Sequence, residues 1–274
     1  MSLAVDPLWR AALLARAGQL PLRPRVPLLW RQHVIGSVET DFFAPLLARQ
    51  PLLATQLLQL ESSETGPHWR LLGDATSALK ALADALRELG VGRVRQHWRD
   101  EQLAVCDAQG QQIASVERGV VRPLGVDTRA VHLVGCSSDG RFWVQQRSLD
   151  KASNPGLWDT LMGGMVSAQD SLESALARET WEEAGLRMDT LTDLRRGGEV
   201  VLRKPSSDGA DAGYVVEWVD WYRCTVPDGV RPLNQDGEVV QFELIDAPDL
   251  IARLQRDEFT TEAALILLCA LDEA

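Results

Sequence analysis

Three glutamates lie close together in the middle of the chain. Glu179, Glu182 and Glu183 are spaced i, i+3 and i+4, and residues at these separations share one face of an α-helix, with Cβ atoms about 5–6 Å apart. Their carboxylates can converge on one site, where their like charges repel. A divalent cation removes that repulsion, and Mg²⁺ prefers oxygen ligands of this kind. The spacing therefore indicates a metal site, although an isolated cluster of this type is more often a solvated acidic face.

The residues around the glutamates favour the metal site over the solvated face. A glycine pair ending at Gly164 precedes the predicted helix, and either Asp170 or Ser171 can cap its N-terminus. Arg178 directly precedes the first glutamate, and Gly185 can end the helix in the left-handed conformation. So many supporting residues at fixed offsets indicate a functional motif rather than a chance pattern.

Residues 164–186 resemble the Nudix box, G-x5-E-x7-R-E-U-x-E-E-x-G-U, in which U is a bulky aliphatic residue. Asp170 stands where the family has a glutamate, and Thr180 occupies a position that is normally aliphatic. Asp170 keeps the charge that pairs with the arginine in the family, whereas Thr180 should weaken packing beneath the helix. Neither position is a core metal ligand by this resemblance.

The resemblance implies a role for the main residues of the box. Glu179, Glu182 and Glu183 would hold Mg²⁺, with Mn²⁺ as the alternative cofactor, and the carbonyl of Gly163 would add a ligand. Arg178 would orient the glutamates, and Arg178 and Glu182 count among the catalytic residues. The implied protein is an enzyme that hydrolyses a diphosphate bond, because the metals neutralise phosphate charge and position or deprotonate the attacking water.

A further acid outside the box often serves this family as a ligand or as the general base. Glu238 is the first candidate, in a turn at residues 234–238 that enters a predicted strand at 239–244. Glu217, in the predicted strand 214–221, is the second. An exposed acid at a turn or in a strand explains either residue equally well, so the sequence leaves the choice open.

Three side chains just before the box are candidates for substrate binding. Arg147 and Lys151 could contact phosphate oxygens, and Trp158 could stack on a heterocycle. A solvated basic loop is an equal alternative for the two cations. Core packing explains most of the nine tryptophans of the chain, and Trp158 is the exception worth testing.

The resemblance extends beyond the box to one group of Nudix proteins. Residues 154–164 and 232–244 look like proteins related to the N-terminal part of fungal thiamine pyrophosphokinase, and residues 116–132 and 258–261 fit this group too. In that group an N-terminal α+β domain precedes the Nudix fold. Some of its members hydrolyse oxidised forms of thiamine diphosphate to the monophosphate, which suggests a small diphosphate compound of this kind as substrate.

Two rival functions share the same fold. Isopentenyl diphosphate isomerase uses a cysteine near the box, but no cysteine occurs between Cys136 and Cys224. A non-catalytic Nudix regulator would bind a nucleotide without hydrolysis, and it has no need of three intact metal-binding glutamates. The sequence therefore favours the hydrolase over both.

Helical and strand-like patterns predict the fold class as α+β. We expect an N-terminal mixed α/β domain at residues 1–124 and a Nudix α/β/α sandwich domain at 125–274, with the boundary where Pro123 and Gly125 break the pattern. The predicted elements are helices at 6–18, 74–90, 171–184 and from Thr261, hairpins at 103–118 and 130–144, strands at 199–203 and 214–224, and a loop at 205–213.

Composition limits the classes of partner. A net charge of -11 and a pI near 4.9 would repel a phosphate backbone, so nucleic acid is not expected. Neither a signal peptide nor a membrane-spanning stretch is evident, which predicts a cytoplasmic protein without a membrane partner. Four scattered cysteines and four scattered histidines show no zinc spacing. The N-terminal domain could cover the site or form a homodimer, and its residues do not separate these roles.

Overall fold

Three separate sheets form the β-structure of the described residues, which are 5–64, 66–151, 153–206 and 213–273 of this computed structural model. The first half of the chain contributes a four-stranded sheet and a two-stranded hairpin. Its elements in chain order are α1 (Pro7–Ala17), β1 (Arg25–Trp30), β2 (His33–Glu39), α2 (Ala44–Arg49), α3 (Pro51–Leu57), β3 (Leu58–Ser63), β4 (Gly66–Leu71), α4 (Ala75–Leu89), α5 (Val94–His97), β5 (Gln102–Cys106) and β6 (Gln112–Glu117).

The second half contributes a seven-stranded sheet with helices on both sides. A short 3₁₀ turn, Arg118–Val120, connects the two halves. The following elements are β7 (Asp127–Cys136), β8 (Phe142–Arg147), β9 (Trp158–Asp159), β10 (Met162–Met165), α6 (Leu172–Ala184), β11 (Thr192–Pro205), β12 (Tyr214–Thr225), β13 (Val239–Ile245), α7 (Ala247–Gln255) and α8 (Thr261–Asp272).

The first half is built around α4, which the sequence predicted. Asp74 caps the start of this helix, and Gly90 ends it with a φ of 68°, a conformation that glycine adopts at little cost. Leu79, Leu82 and Leu86 recur at helical spacing and are fully buried in contact distance of β4 and β6. The four-stranded sheet has the order β2-β1-β4-β3, with β1 and β4 parallel.

The seven-stranded sheet lies between two layers of helix. Along β7, Val131 and Leu133 belong to the core beneath α6, whereas Ala130 and Val134 belong to the core beneath α8. This alternation is the strand periodicity of two, which sends neighbouring side chains to opposite faces. The result confirms the predicted α+β class and the α/β/α arrangement of the second half.

The hydrophobic cores do not follow the order of the chain, because the first helix packs against the second half. One cluster of buried residues extends from Val26 to Val126. Helix α1 lies outside it, because Leu13 and Ala17 pack in the core beneath α8, and Arg10 pairs with Asp272 at 2.6 Å. The division between residues 124 and 125 stays a prediction.

Most predicted elements of both halves are confirmed, but several elements were not predicted, among them the four strands of the first sheet and the helices α2 and α3 between them. Two further differences lie in the second half. Strand β11 starts at Thr192, well before the predicted residue 199, because its first residues are exposed and lack the buried alternation that marks a strand. Helix α7 was missed, although Asp246 caps it. The predicted loop at 205–213 falls mostly outside the described residues. Within the described ranges, every helix is too short or too polar to span a lipid bilayer.

Candidate active site

Helix α6 carries the acidic cluster at its C-terminal end. Ser171 and Ser174 form a capping box at its start, and Gly185 ends it with a φ of 62°. Carboxylates near a helix C-terminus meet the negative end of the helix dipole, which is unfavourable. The position of Glu182 and Glu183 does not stabilise the helix, which indicates that these acids have a role other than helix stability.

Strand β10 brings two glycines against these glutamates. The amide of Gly163 donates a hydrogen bond of 3.0 Å to Oε2 of Glu183. A Cβ on Gly164 would lie 2.1 Å from the carboxyl carbon of Glu179, closer than any side chain tolerates. The glycine pair therefore leaves a space that the Glu179 carboxylate fills.

Arg178 connects the start of the motif with its end. Its guanidinium donates to Oδ2 of Asp170 at 2.9 and 3.1 Å, to Oε1 of Glu179 at 2.8 Å and to Oε2 of Glu182 at 3.0 Å. It also donates to the carbonyl of Met165 at 3.4 Å. Asp170 thus replaces the usual glutamate without losing the ion pair, and Arg178 holds two of the three glutamates.

The three glutamates differ in where they point. Glu179 and Glu183 line one cleft, whereas the Glu182 side chain is 43% exposed and does not line that cleft. Within the described part of the chain, no three acidic, imidazole or thiol groups are close enough together to form a ready-made metal site. The structure brings two of the three predicted glutamates together in the cleft, which Gly163 also lines, whereas the third glutamate, Glu182, pairs with Arg178 outside it.

Burial disfavours the charged forms of both cleft glutamates. It raises the pKa of Glu179 against the opposing charge of Arg178. It raises the pKa of Glu183 to about 7, although Lys151 and the amide of Gly163 act in the opposite direction. A bound divalent cation would offset the cost of burying these two negative charges, because it stabilises the charged form of both carboxylates.

The cleft has a volume of about 180 Å³ and a strongly charged lining. Its acidic side is completed by Asp159, Glu217, Glu238 and Glu262. Its cations are Arg118, Arg122, Arg147, Lys151 and Lys204. A small anionic compound can meet several fixed positive charges there, even though the whole chain is acidic.

The two cations predicted from the sequence line this cleft. The Lys151 ammonium lies 3.8 Å from Oε1 of Glu183 and contacts the carboxylate of Glu238. Arg147 donates to Oδ2 of Asp159 at 3.2 Å and to the carbonyl of Ser153 at 3.2 Å. Both positions are compatible with phosphate binding, which stays a prediction.

The two candidate acids outside the box also line the cleft. Glu217 is buried and pairs with Arg122 at 2.8 Å, so this ion pair accounts for its presence. Glu238 remains 49% exposed and contacts Lys151. Of the two, Glu238 is the acid that water and a ligand can reach.

Trp158 lies in the core rather than in the cleft. It is only 8% exposed, it packs with the residues beneath α8, and the guanidinium of Arg253 lies 5.1 Å from its ring centre. This placement does not support the stacking of a heterocycle on Trp158.

Several polar residues of the cleft were not identified from the sequence, among them His132, Arg118 and Arg122. His132 lies on β7 opposite Gly163 of β10, and its Nδ1 is 2.9 Å from Oγ1 of Thr160. Arg118 and Arg122 come from the connection between the halves. Strand pairing and packing between distant parts of the chain place these residues in the cleft, although all three lie within residues 116–132, which resemble the related Nudix proteins.

Comparisons with known proteins agree with this geometry. The model of the family described as NUDIX domain matches residues 126–265. The uncharacterized Nudix hydrolase PA4841 of Pseudomonas aeruginosa is 38% identical over 39% of this chain and 62% of its own length. Nudix hydrolase 24, chloroplastic, of Arabidopsis thaliana is 27% identical over 89% of this chain and 66% of its own length. The chain therefore spans less than two thirds of each of these curated relatives.

Other relatives carry a different enzyme name. An isopentenyl-diphosphate Delta-isomerase of Leifsonia xyli is 32% identical over 56% of this chain and 80% of its own length. Among solved structures, DR0079 of Deinococcus radiodurans has a TM-score of 0.50 at 21% identity, and the match covers 62% of this chain and 99% of that one, which shows the fold. Because the family model covers 140 of the 274 residues, counted from 126 to 265, and includes the whole acidic motif, the chain belongs to the NUDIX domain family.

Proposed function

We propose that this chain is a divalent-metal-dependent hydrolase that splits the diphosphate bond of a small nucleoside or cofactor diphosphate. The observation that carries the proposal is the cleft in which Glu179 and Glu183 are buried against the glycines of β10 and face Arg147 and Lys151. Carboxylates next to fixed cations suit a ligand that has both metal-binding and anionic groups.

The residues present fit a divalent cation. Glu179, Glu182 and Glu183, with the carbonyl oxygen of Gly163, would hold it, and Glu182 would have to turn from Arg178 toward the cleft. The space at Gly164, the burial of Glu183 and the partial burial of Glu179 are the features that favour this reading. Hard oxygen donors suit Mg²⁺, with Mn²⁺ as the alternative. When bound, the cation would neutralise phosphate charge and make water more acidic.

The remaining steps fall to side chains of the cleft. Arg147 and Lys151 bind oxygens of the two phosphate groups and orient the bond that breaks. Glu238 accepts a proton from the attacking water, because its side chain is 49% exposed and is the most accessible acid of the cleft. Arg178 keeps Glu179 in position and does not touch the substrate.

The substrate we propose within this class is an oxidised derivative of thiamine diphosphate, which would be cleaved to the monophosphate. Its support is the resemblance of residues 154–164 and 232–244 to Nudix proteins related to fungal thiamine pyrophosphokinase. The net charge of -11 and the small volume of the cleft favour a small molecule over nucleic acid. A cytoplasmic location stays a prediction.

The isomerase is the first rival, because isopentenyl-diphosphate isomerases are among the relatives. Within the described ranges, no cysteine lines the cleft. Cys136 and Cys224 are buried in cores on opposite faces of the sheet. The absence of a cysteine from the cleft among the described residues favours the hydrolase over the isomerase. A non-catalytic regulator, which binds a ligand without hydrolysis, is the second rival.

A panel of diphosphates separates the hydrolase from the regulator. Product release with Mg²⁺ is measured for dinucleotides, nucleotide sugars, coenzyme A and oxidised thiamine diphosphates. Glu179→Gln and Glu182→Gln should each lower turnover on the order of 100-fold. The control Glu173→Gln changes an exposed acid on the same helix and should leave turnover unchanged. A wild-type chain that binds one of these compounds but hydrolyses none would instead be a regulator.

A further inference from the structure

The active-site cleft opens into a second cavity whose wall comes from the first half of the chain. This cavity has a volume of about 410 Å³, and its lining includes His97, Arg99 and Glu101. The two cavities share four cations, which are Arg118, Arg122, Arg147 and Lys151. Of these, Arg118 and Arg122 lie before residue 126, where the match to the family model begins.

Arg118 is held rigidly at the junction of the two cavities. Its backbone amide donates to the carbonyl of Glu101 at 2.8 Å, and its guanidinium donates to Oε2 of the same residue at 2.6 Å. The neighbouring Gly119 lies so close to the backbone of His97 that a Cβ would be 3.0 Å from it. The turn that carries Arg118 is therefore packed in place before any ligand arrives.

Among the three shared arginines, Arg118 has the most capacity for a ligand. Arg122 already donates to Thr128 at 3.0 Å and to Glu217 at 2.8 Å, and Arg147 is bound by two partners in the cleft wall. In the part of the chain that the structure describes, Arg118 uses one guanidinium nitrogen, on Glu101, and its side chain is 40% exposed. Its other N–H groups remain available.

Arg118 lines the same cleft as Glu179 and Lys151. Its guanidinium therefore lies on the wall of the site where a bound diphosphate would carry its negative charge.

We propose that Arg118 binds oxygens of the diphosphate substrate and that Glu101 positions its guanidinium for this contact. The inference rests on the proposed function and deepens it, because it gives the first half of the chain a direct part in substrate binding. An arginine can bind two phosphate oxygens at once through its planar fork, which a lysine cannot reproduce. A second wall of the cleft thereby selects ligands with an extended anionic group.

Binding of a non-hydrolysable probe tests the inference without relying on turnover. The affinity of the full chain for methylenediphosphonate is measured by calorimetry, with Mg²⁺ and again in EDTA. Arg118→Gln should weaken binding by about 10- to 100-fold, the loss expected for one charge-assisted hydrogen bond. Arg118→Lys keeps the charge and should fall between that variant and wild type. Glu101→Gln keeps Arg118 but replaces its charged partner by a neutral one, so the guanidinium is held less firmly. This variant should weaken binding by a smaller factor.

The matched control is Arg95→Gln, since Arg95 is a surface cation of α5 that donates to the carbonyl of Glu88 and lines neither cavity. Its affinity for the probe should equal that of wild type. In turnover assays, Arg118→Gln should raise KM while kcat changes little, which a merely structural role would not produce.

The two proposals fail in different ways. If folded Arg118→Gln and Arg118→Lys bind methylenediphosphonate as tightly as Arg95→Gln does, or if wild type does not bind it at all, the role of Arg118 is overturned even when wild type hydrolyses its substrate. If wild type binds the probe through Arg118 but hydrolyses no diphosphate of the panel, the hydrolase proposal fails and the Arg118 site stands.

Discussion

The backbone amide of Gly163 donates a hydrogen bond to the carboxylate of Glu183, a residue twenty positions later in the chain. The same oxygen accepts a second bond of 2.7 Å from the side-chain amide of Gln145. Two fixed donors set the direction of the carboxylate before any ligand binds, and they join β10, β8 and α6 at one point. The arrangement orients a buried acid whose charge the interior disfavours.

The burial of Glu183 predicts how the stability of the metal-free protein depends on pH. Its pKa is raised by burial from 4.5 to about 7. Below about pH 4.5 the group is protonated in both states, and between 4.5 and 7 only the unfolded chain releases the proton. The free energy of unfolding should therefore fall as the pH rises through this window and then level off.

Glu183→Gln removes this dependence. In EDTA, the variant should gain stability relative to wild type from pH 4.5 to 7, by at most about 3 kcal/mol on the scale of 1.36 kcal/mol per pKa unit. Urea unfolding at several pH values measures the difference. Glu173→Gln is the control, because hydrogen bonds lower the pKa of Glu173 and its titration lies below the window. A stability difference that does not change with pH would contradict the prediction.

The contact between Gly164 and Glu179 predicts a loss of activity without a loss of fold. The three atoms nearest to a Cβ at position 164 would all belong to the carboxylate of Glu179, at 2.1–2.4 Å, which is the far end of a flexible side chain. Gly164→Ala should therefore fold with a melting temperature near that of wild type, while turnover falls on the order of 100-fold because Glu179 is displaced.

Gly18→Ala provides the comparison for that variant. A Cβ at Gly18 has ordinary contacts, the nearest being 3.6 Å away, and the residue ends α1 far from the cleft. Its turnover should equal that of wild type. Normal turnover by Gly164→Ala would mean that the Glu179 carboxylate has no defined position in the reaction.

Local patterns predicted the helix that carries the motif, whereas they could not predict the cleft around it. Ser171, Gly185 and the glutamate spacing are local signals, and α6 formed where they placed it. Arg118 and His132 reach the cleft only through packing between the halves and through strand pairing, which depend on residues far apart in the chain. Contacts of this kind leave no periodic signal.

Trp158 was suggested as a binding residue by its place beside the motif, but the structure places it in a core. An aromatic residue next to a catalytic motif is equally compatible with a core and with a binding surface, and nothing in its neighbours separates the two. The structure pairs β9 with β8 and places α8 next to β9, so that the ring is buried.

The Glu182 side chain was likewise expected beside Glu179 and Glu183 because of helical spacing, but its rotamer follows Arg178.

Thr180, the second departure from the Nudix pattern, predicts a stabilising substitution. The residue is fully buried in α6, and its hydroxyl finds no hydrogen-bond partner among the described residues. A buried polar group without a partner costs about 1–3 kcal/mol in protein mutational data. Valine has nearly the same shape without the hydroxyl, so Thr180→Val should raise the free energy of unfolding by about 1 kcal/mol.

Thr160→Val is the matched control, because Thr160 is equally buried but its hydroxyl donates to the carbonyl of Met162 at 2.7 Å. Removing a satisfied hydroxyl leaves that carbonyl without its donor, so Thr160→Val should lower stability. Thermal and urea unfolding of both variants should therefore give shifts of opposite sign. If Thr180→Val is destabilised as Thr160→Val is, the Thr180 hydroxyl has a partner, and the helix packs there with a polar contact that the family normally replaces by an aliphatic one.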